Sequence, residues 1–186
     1  MTAKNRSRKG DILLPLPHVH QGYNAGCGLG AMCMVFNFHG LDVTVAELER
    51  HPLVLPRMLR KDGIGPGRLG RIALSLGFPV QIVDPSARDV GKLFVREGGD
   101  WVAEAPNKSH ILHWLHRGVP VVACIPDKTL AFEGCKHHGS HWITLRGVES
   151  GELILRDPAP WRSVERCKPG YWDIWSCTML AIQPPR

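Results

Sequence analysis

Gln21-Gly-Tyr-Asn-Ala-Gly26-Cys27-Gly-Leu-Gly-Ala31 decides how this chain is read. The small and polar residues between Gln21 and Cys27 make a turn. The apolar run from Cys27 to about Phe38 then makes a helix, which ends at Gly40. A cysteine that opens a helix meets uncommitted backbone N–H groups and the positive end of the helix dipole. Both favour the thiolate, the nucleophilic form of the side chain. Gln21 stands six residues earlier, where its amide can join the Cys27 backbone N–H in receiving a developing oxyanion. The same residues also fit a buried, inert cysteine at a helix start. The glutamine and the flanking glycines keep the chemical reading open beside it.

A nucleophilic thiol needs a base. Ser140-His141-Trp142-Ile-Thr-Leu-Arg-Gly-Val148 reads as a strand that opens on His141, and Glu152–Asp157 reads as its return strand across a Ser150-Gly151 or Glu149-Ser150-Gly151 turn. Counting back from that turn sets Asp157 nearly opposite Ile143. His141 and Ile143 share a face, so Asp157 becomes a diagonal neighbour of His141, about 7–8 Å away by backbone and within side-chain reach. Asp157 can then hold the imidazole in one tautomer while the other nitrogen turns to Cys27. Taken singly, His141 fits an ordinary half-buried strand-end histidine, and Asp157-Pro158 fits a turn starter. Taken together, the four residues complete the logic of nucleophilic amide chemistry. Cys27 attacks a carbonyl, His141 moves the proton, Asp157 orients His141 and Gln21 stabilises the oxyanion. Gly26 and Trp142, which flank Cys27 and His141, are the candidate substrate contacts.

The remainder of the chain reads as a frame for these residues. Its 186 residues suffice for one domain with a real core. Hydrophobic residues at 44% exclude a disordered chain, and no apolar run approaches the length of a membrane span. The net charge of +6 is uneven: four of the 23 basic residues lie in the first ten positions, leaving 19 against 17 acidic in the body. Residues 1–10 are read as a basic flexible tail. No recognition motif or basic–aromatic stripe points to nucleic acid. Residues 11–26 read as extended. A capping-box pattern at Thr44 and Glu47 starts a short helix. Lys61–Gly67 reads as a loop, and a helix follows from Gly67 to Leu76. Pro79–Val83 reads as a strand, Ser86–Arg96 as a helix, and a further helix begins at Asn107 or Ser109 and ends at Gly118. Val119–Ile125 and Thr178–Gln183 read as strands. Helices first and antiparallel strands later give an α+β layout.

Three other clusters compete for attention. Cys135, His137 and His138 stand just before His141 and are soft ligands, but their spacing fits no common zinc module. His110, His113 and His116 share one face of a helix and read as surface. Cys33 and Cys124 read as core, while Cys167 and Cys177 could pair only in an oxidising compartment. No secretory signal opens the chain, so the expected compartment is cytoplasmic, with export by a signal-independent route as the alternative.

The motifs resemble those of papain-like cysteine peptidases, most of all the bacteriocin-processing (double-glycine leader) peptidases and their stand-alone relatives. Gln21 to Gly30 resembles that family's Gln-x5-Cys-Gly-Leu-Ala pattern. His141, Trp142, Gly147 and Asp157-Pro158 resemble its histidine block and Asp-Pro. Leu115–Ala123 resembles the strand before that block, and Trp172–Pro184 its closing segment. Pro160 and Trp161 depart from the glycine often found after the Asp-Pro. The resemblance implies a papain-like α+β fold, with an N-terminal helical lobe (about 11–117) packed on a C-terminal antiparallel sheet (about 118–186) within one domain, 11–186. It implies a cysteine protease acting on a protein or peptide substrate without a cofactor or metal. Deamidases, acyl or amide transferases and non-catalytic peptide-binding modules on the same frame are the alternatives.

Overall fold

The computed structural model describes residues 11–22, 25–86, 89–125, 140–159 and 178–185. Among these, β1 (Ile12–Leu13) is followed by α1 (Cys27–Phe38) and α2 (Val45–Glu49). A single π turn (Met58–Asp62), α3 (Pro66–Ser75), β2 (Val80–Val83), α4 (Asp89–Arg96), β3 (Asp100–Val102) and α5 (Lys108–Leu115) follow. β4 (Val121–Ile125), β5 (His141–Glu149), β6 (Glu152–Arg156) and β7 (Met179–Ile182) complete the described elements.

The strands form one open sheet in the order β1-β5-β4-β7-β2-β3, with β6 paired to β5. The fold is α+β, as expected, but its sheet is more widely sourced than the sequence suggested. β1, β2 and β3 join it from before residue 118. The β2–β3 pair is parallel, whereas every other pair is antiparallel. A parallel pair needs a crossover, and α4 supplies it.

Alternation along the strands divides the core in two. Val122, Cys124, Trp142, Leu180 and Ile182 face a cluster with α1, α3 and Phe94 of α4. Val121, Ala123, Ile143, Leu145, Met179 and Ala181 face the other side, where α5 contributes Ile111, Trp114 and Leu115. Helices on both sides explain why β4 and β7 are buried at every position.

α1 is the central helix, with every residue from Cys27 to Phe36 buried. Large apolar side chains such as Met32 and Phe36 each contribute about 1.5–3 kcal/mol gross on burial, which makes α1 a firm mount for its first residue. Thr144 Oγ1 donates to the Ala31 carbonyl at 3.1 Å and ties α1 to β5.

The local signals behave as read at several points. The Thr44–Glu47 capping box is formed in both directions. Asn107, not Ser109, caps α5, accepting from the Ser109 and His110 amides while His110 Nδ1 accepts from the Asn107 amide. The Lys61–Gly67 loop is shorter than expected: the π turn runs to Asp62, and Pro66 already opens α3. Proline there needs no N–H partner and has a helical φ built in.

Candidate active site

Two glycines let α1 sit where it does. A Cβ on Gly28 would lie 3.2 Å from both Leu69 methyls and 3.3 Å from Trp142 Cδ1. A Cβ on Gly30 would lie 2.8 Å from Pro158 Cβ and 3.5 Å from Gln21 Cβ. The start of α1 is thereby pressed against the Asp157-Pro158 corner and against Gln21. Cys27 follows Gly26, which makes no side-chain cap, and the first turn holds no acid. The positive end of α1 therefore falls on Cys27 without a competing negative group in that turn.

The β5–β6 hairpin delivers the other two side chains. Ser150 (φ 53°) and Gly151 (φ 84°) make its turn in the left-handed conformation that favours tight hairpins. The register starts at Glu149↔Glu152 and shifts by one between Leu145 and Gly147, so that Thr144 faces Arg156. The next step along that register is Ile143 with Asp157. Without the bulge, Asp157 would fall opposite Thr144 and on the other face.

His141 Nε2 donates to Asp157 Oδ1 at 2.7 Å. The same oxygen accepts from the Ala159 amide at 2.8 Å, so Asp157 starts a turn and holds the histidine at once. Because a carboxylate can only accept, Nε2 carries the proton and Nδ1 is left for another partner. The Cys27 side chain lies close enough to the ring to favour its charged form. Burial works against the charged imidazole, but the Asp157 bond, the Cys27 side chain and their charges outweigh it, and the His141 pKa is pushed up to about 9. Gln21, Cys27, His141 and Asp157 are all buried, none more than 8% exposed. The structure thus brings Cys27, His141 and Asp157 together. Gln21 is anchored to the Asp157 corner through its amide, which donates to the Pro158 carbonyl at 2.7 Å.

Trp142, expected beside the substrate, is 5% exposed. Its Nε1–H donates to the Ile64 carbonyl at 3.1 Å, and its ring packs beneath Gly28. Strand alternation is the reason: adjacent residues on β5 point to opposite faces. Gly26 is buried and its carbonyl accepts from the Gly30 amide at 3.0 Å. His110 is engaged by Glu104, and His113 and His116 are exposed on α5, the surface face expected. Cys33 and Cys124 are buried, as expected for core residues. Burial and the Glu47 carboxylate push the Cys33 thiol up to about 11, which makes it inert. The basic tail 1–10, Cys135, His137, His138, Cys167, Cys177, Pro160 and Trp161 lie outside the described residues. Among the described residues, no group of three or more His, Cys, Asp or Glu side chains is placed to hold a metal ion. No helix there is long and apolar enough to cross a membrane.

Two residues were missed by sequence reasoning. One is Gly30, whose missing Cβ admits Pro158. The other is His18, whose Nε2–H donates to the Asp157 carbonyl at 2.7 Å. Neither carries a local signal of that role.

A helix-borne cysteine facing a sheet-borne histidine and aspartate defines a papain-like thiol hydrolase frame. The profile of the Peptidase_C39 like family matches residues 13–176, and the chain belongs to that family of cysteine peptidase-like hydrolases. Solved structures agree on the fold. A Bacillus anthracis protein described as a C39-like peptidase superposes with a TM-score of 0.64 at 12% identity, covering 96% of this chain and all of its own. The peptidase domain of Streptococcus ComA, a bi-functional ABC transporter of a quorum-sensing pathway, gives 0.54 at 19% identity over 90% of this chain and 97% of that one. A double-glycine-motif protease from an AMS/PCAT transporter, in complex with a leader peptide, gives 0.54 at 14% identity over 95% and 99%. No curated protein matches the chain. The family resemblance read from the motifs is borne out.

Proposed function

We infer that this protein is a cysteine protease that cuts a peptide or protein chain through Cys27, His141, Asp157 and Gln21. The observation that carries the reading is the 2.7 Å bond from His141 to Asp157, on a ring whose other nitrogen is left for Cys27 at the start of α1. The His141 pKa near 9 supports an imidazolium at neutral pH, the form that donates a proton to a leaving amine.

In the proposed cycle, the Cys27 sulfur attacks the scissile carbonyl. The carbonyl electrons move onto oxygen, where the Gln21 side-chain amide and the Cys27 backbone N–H receive them. Collapse of that intermediate breaks the C–N bond, and His141 passes its proton to the departing amine. Water then attacks the thioester, His141 takes a proton from it, and the thiol is restored. Asp157 keeps the ring oriented throughout. The leader-peptide complex of the PCAT neighbour supports a peptide as the substrate class.

The test is hydrolysis of a peptide library under reducing conditions, compared among wild type, Cys27→Ala and His141→Ala. Both variants are expected to fold and to lose turnover. An acyl-enzyme is expected on Cys27 in acid-quenched intact mass spectra. Full turnover by Cys27→Ala would refute the mechanism.

A further inference from the structure

We propose that His18 is a positioning residue, which sets the catalytic geometry by holding the backbone of Asp157. The proposal rests on the triad reading above and extends it to a residue outside the triad.

The segment before Gln21 is laced to the hairpin along its length. The Leu14 amide donates to the Arg146 carbonyl at 2.8 Å, and Arg146 Nη1 donates back to the Leu14 carbonyl at 3.3 Å. His18 Nε2 donates to the Asp157 carbonyl at 2.7 Å, and the Gln21 amide donates to the Pro158 carbonyl at 2.7 Å. The last two bonds grip consecutive carbonyls at the corner that carries the Asp157 carboxylate. That carboxylate is already shared between His141 Nε2 and the Ala159 amide, so its direction depends on where the corner sits.

His18 is the side-chain member of this strap, and the bond it makes has a defined sense. A carbonyl only accepts, so Nε2 must carry a proton. The His20 ring lies against that of His18, with centroids 4.5 Å apart, and restricts its rotation. His18 is itself exposed, so its role is not core packing. Loss of the bond frees the Asp157 corner, weakens the Asp157–His141 bond and makes the imidazolium–thiolate state of His141 and Cys27 less favourable.

The experiment reads Cys27 directly and needs no substrate. Cys27 alkylation by iodoacetamide is followed by peptide mass spectrometry from pH 5 to 9 in wild type, His18→Ala, His18→Phe and His18→Gln. Urea midpoints are recorded for each. In His18→Ala the alkylation rate at the acid end is expected to fall about fivefold, the size set by loss of one hydrogen bond. His18→Gln, which keeps an N–H donor, is expected to recover most of the rate. His18→Phe, which keeps a flat ring against His20 but no donor, is expected to behave like alanine. Wild-type rates in His18→Phe would overturn the proposal, as would a loss in His18→Ala that glutamine leaves unrepaired. If wild-type Cys27 shows no acid-range reactivity at all, the triad reading fails and the proposal falls with it. If only the variants' pattern is wrong, the triad stands and the proposal alone fails.

Discussion

Replacing Gly30 with alanine sets two known effects against each other. In the interior of an ordinary helix the change stabilises by about 1 kcal/mol, because glycine is the poorer helix former. Here the new methyl would lie 2.8 Å from Pro158 Cβ, with Gln21 Cβ and the Gln21 amide nitrogen both at 3.5 Å. A normal carbon–carbon contact needs about 3.5–4.0 Å, so Pro158 or α1 must retreat by roughly 1 Å. Neither yields easily. Pro158 is a ring fixed to the chain, and its carbonyl is held by the Gln21 amide. α1 is buried on all sides through Phe36. Overpacking of this kind costs about 1–3 kcal/mol, and a rigid obstacle argues for the upper part of that range. The clash therefore exceeds the propensity gain, and a net loss of about 1–2 kcal/mol is expected. The displaced atoms belong to the corner that carries Asp157 and to the residue next to it, so activity should suffer more than stability. A misplacement of about 1 Å in a catalytic array can cost roughly 100-fold. Urea unfolding gives the first number, and peptide hydrolysis or Cys27 alkylation at pH 6 gives the second. Gly28→Ala is the internal comparison: its methyl meets the movable Leu69 methyls at 3.2 Å and Trp142 at 3.3 Å, so it should be milder. A Gly30→Ala protein that is as stable as wild type or more so, with full reactivity, would refute the close approach of α1 to Pro158.

Asp157→Asn keeps an acceptor for His141 Nε2 but removes the charge. The alkaline limb of the activity profile should move from about pH 9 toward the ordinary histidine value of 6.5, with a smaller loss at its optimum than His141→Ala suffers. A profile that keeps its alkaline limb would show that Asp157 does not set the charge state of His141. The same pair links stability to pH. The folded-state value of His141 lies above the unfolded one, so its contribution is fully present below about 6.5 and is lost as pH rises through about 9. Wild type should therefore lose more stability than Asp157→Asn across that window in urea titrations. Equal losses in the two proteins would contradict the linkage. Trp142→Phe removes the donor to the Ile64 carbonyl and strands that buried group, which should lower stability by about 1–3 kcal/mol. An unchanged urea midpoint would show that the indole bond contributes nothing.

The parts of this fold that could be read in the sequence are those whose causes are local. α1 announces itself through an unbroken apolar run, with Gly40 (φ 89°) supplying the left-handed stop. The capping boxes at Thr44 and Asn107 span four residues each. The His141–Asp157 bond joins residues only 16 apart across one hairpin, which is what made the pair legible; the bulge between Leu145 and Gly147 that puts Asp157 on the right face had no local signal. β3 had no such signal. It is three residues long, follows Gly98-Gly99, and exists because β2 offers a parallel partner across the α4 crossover. Its entry depends on Gly99, where a Cβ would lie 2.2 Å from the Phe94 ring. Trp142 misled because its neighbour in sequence is catalytic, while the pleat sends it to the opposite face.

The His18–Asp157 contact was hidden for a different reason. It spans 139 residues and ends on a backbone carbonyl. Every residue type presents that same acceptor, so no pattern of side chains can advertise it. Cys27, His141 and Asp157 are visible because their chemistry demands particular side chains. The strap that aligns them has no such requirement at its accepting end, since Pro158 and Asp157 receive it through carbonyls that any sequence would supply. Only the donor can vary. His18 is a side-chain donor to this corner, and its identity is therefore a place where the alignment of the site becomes open to mutation.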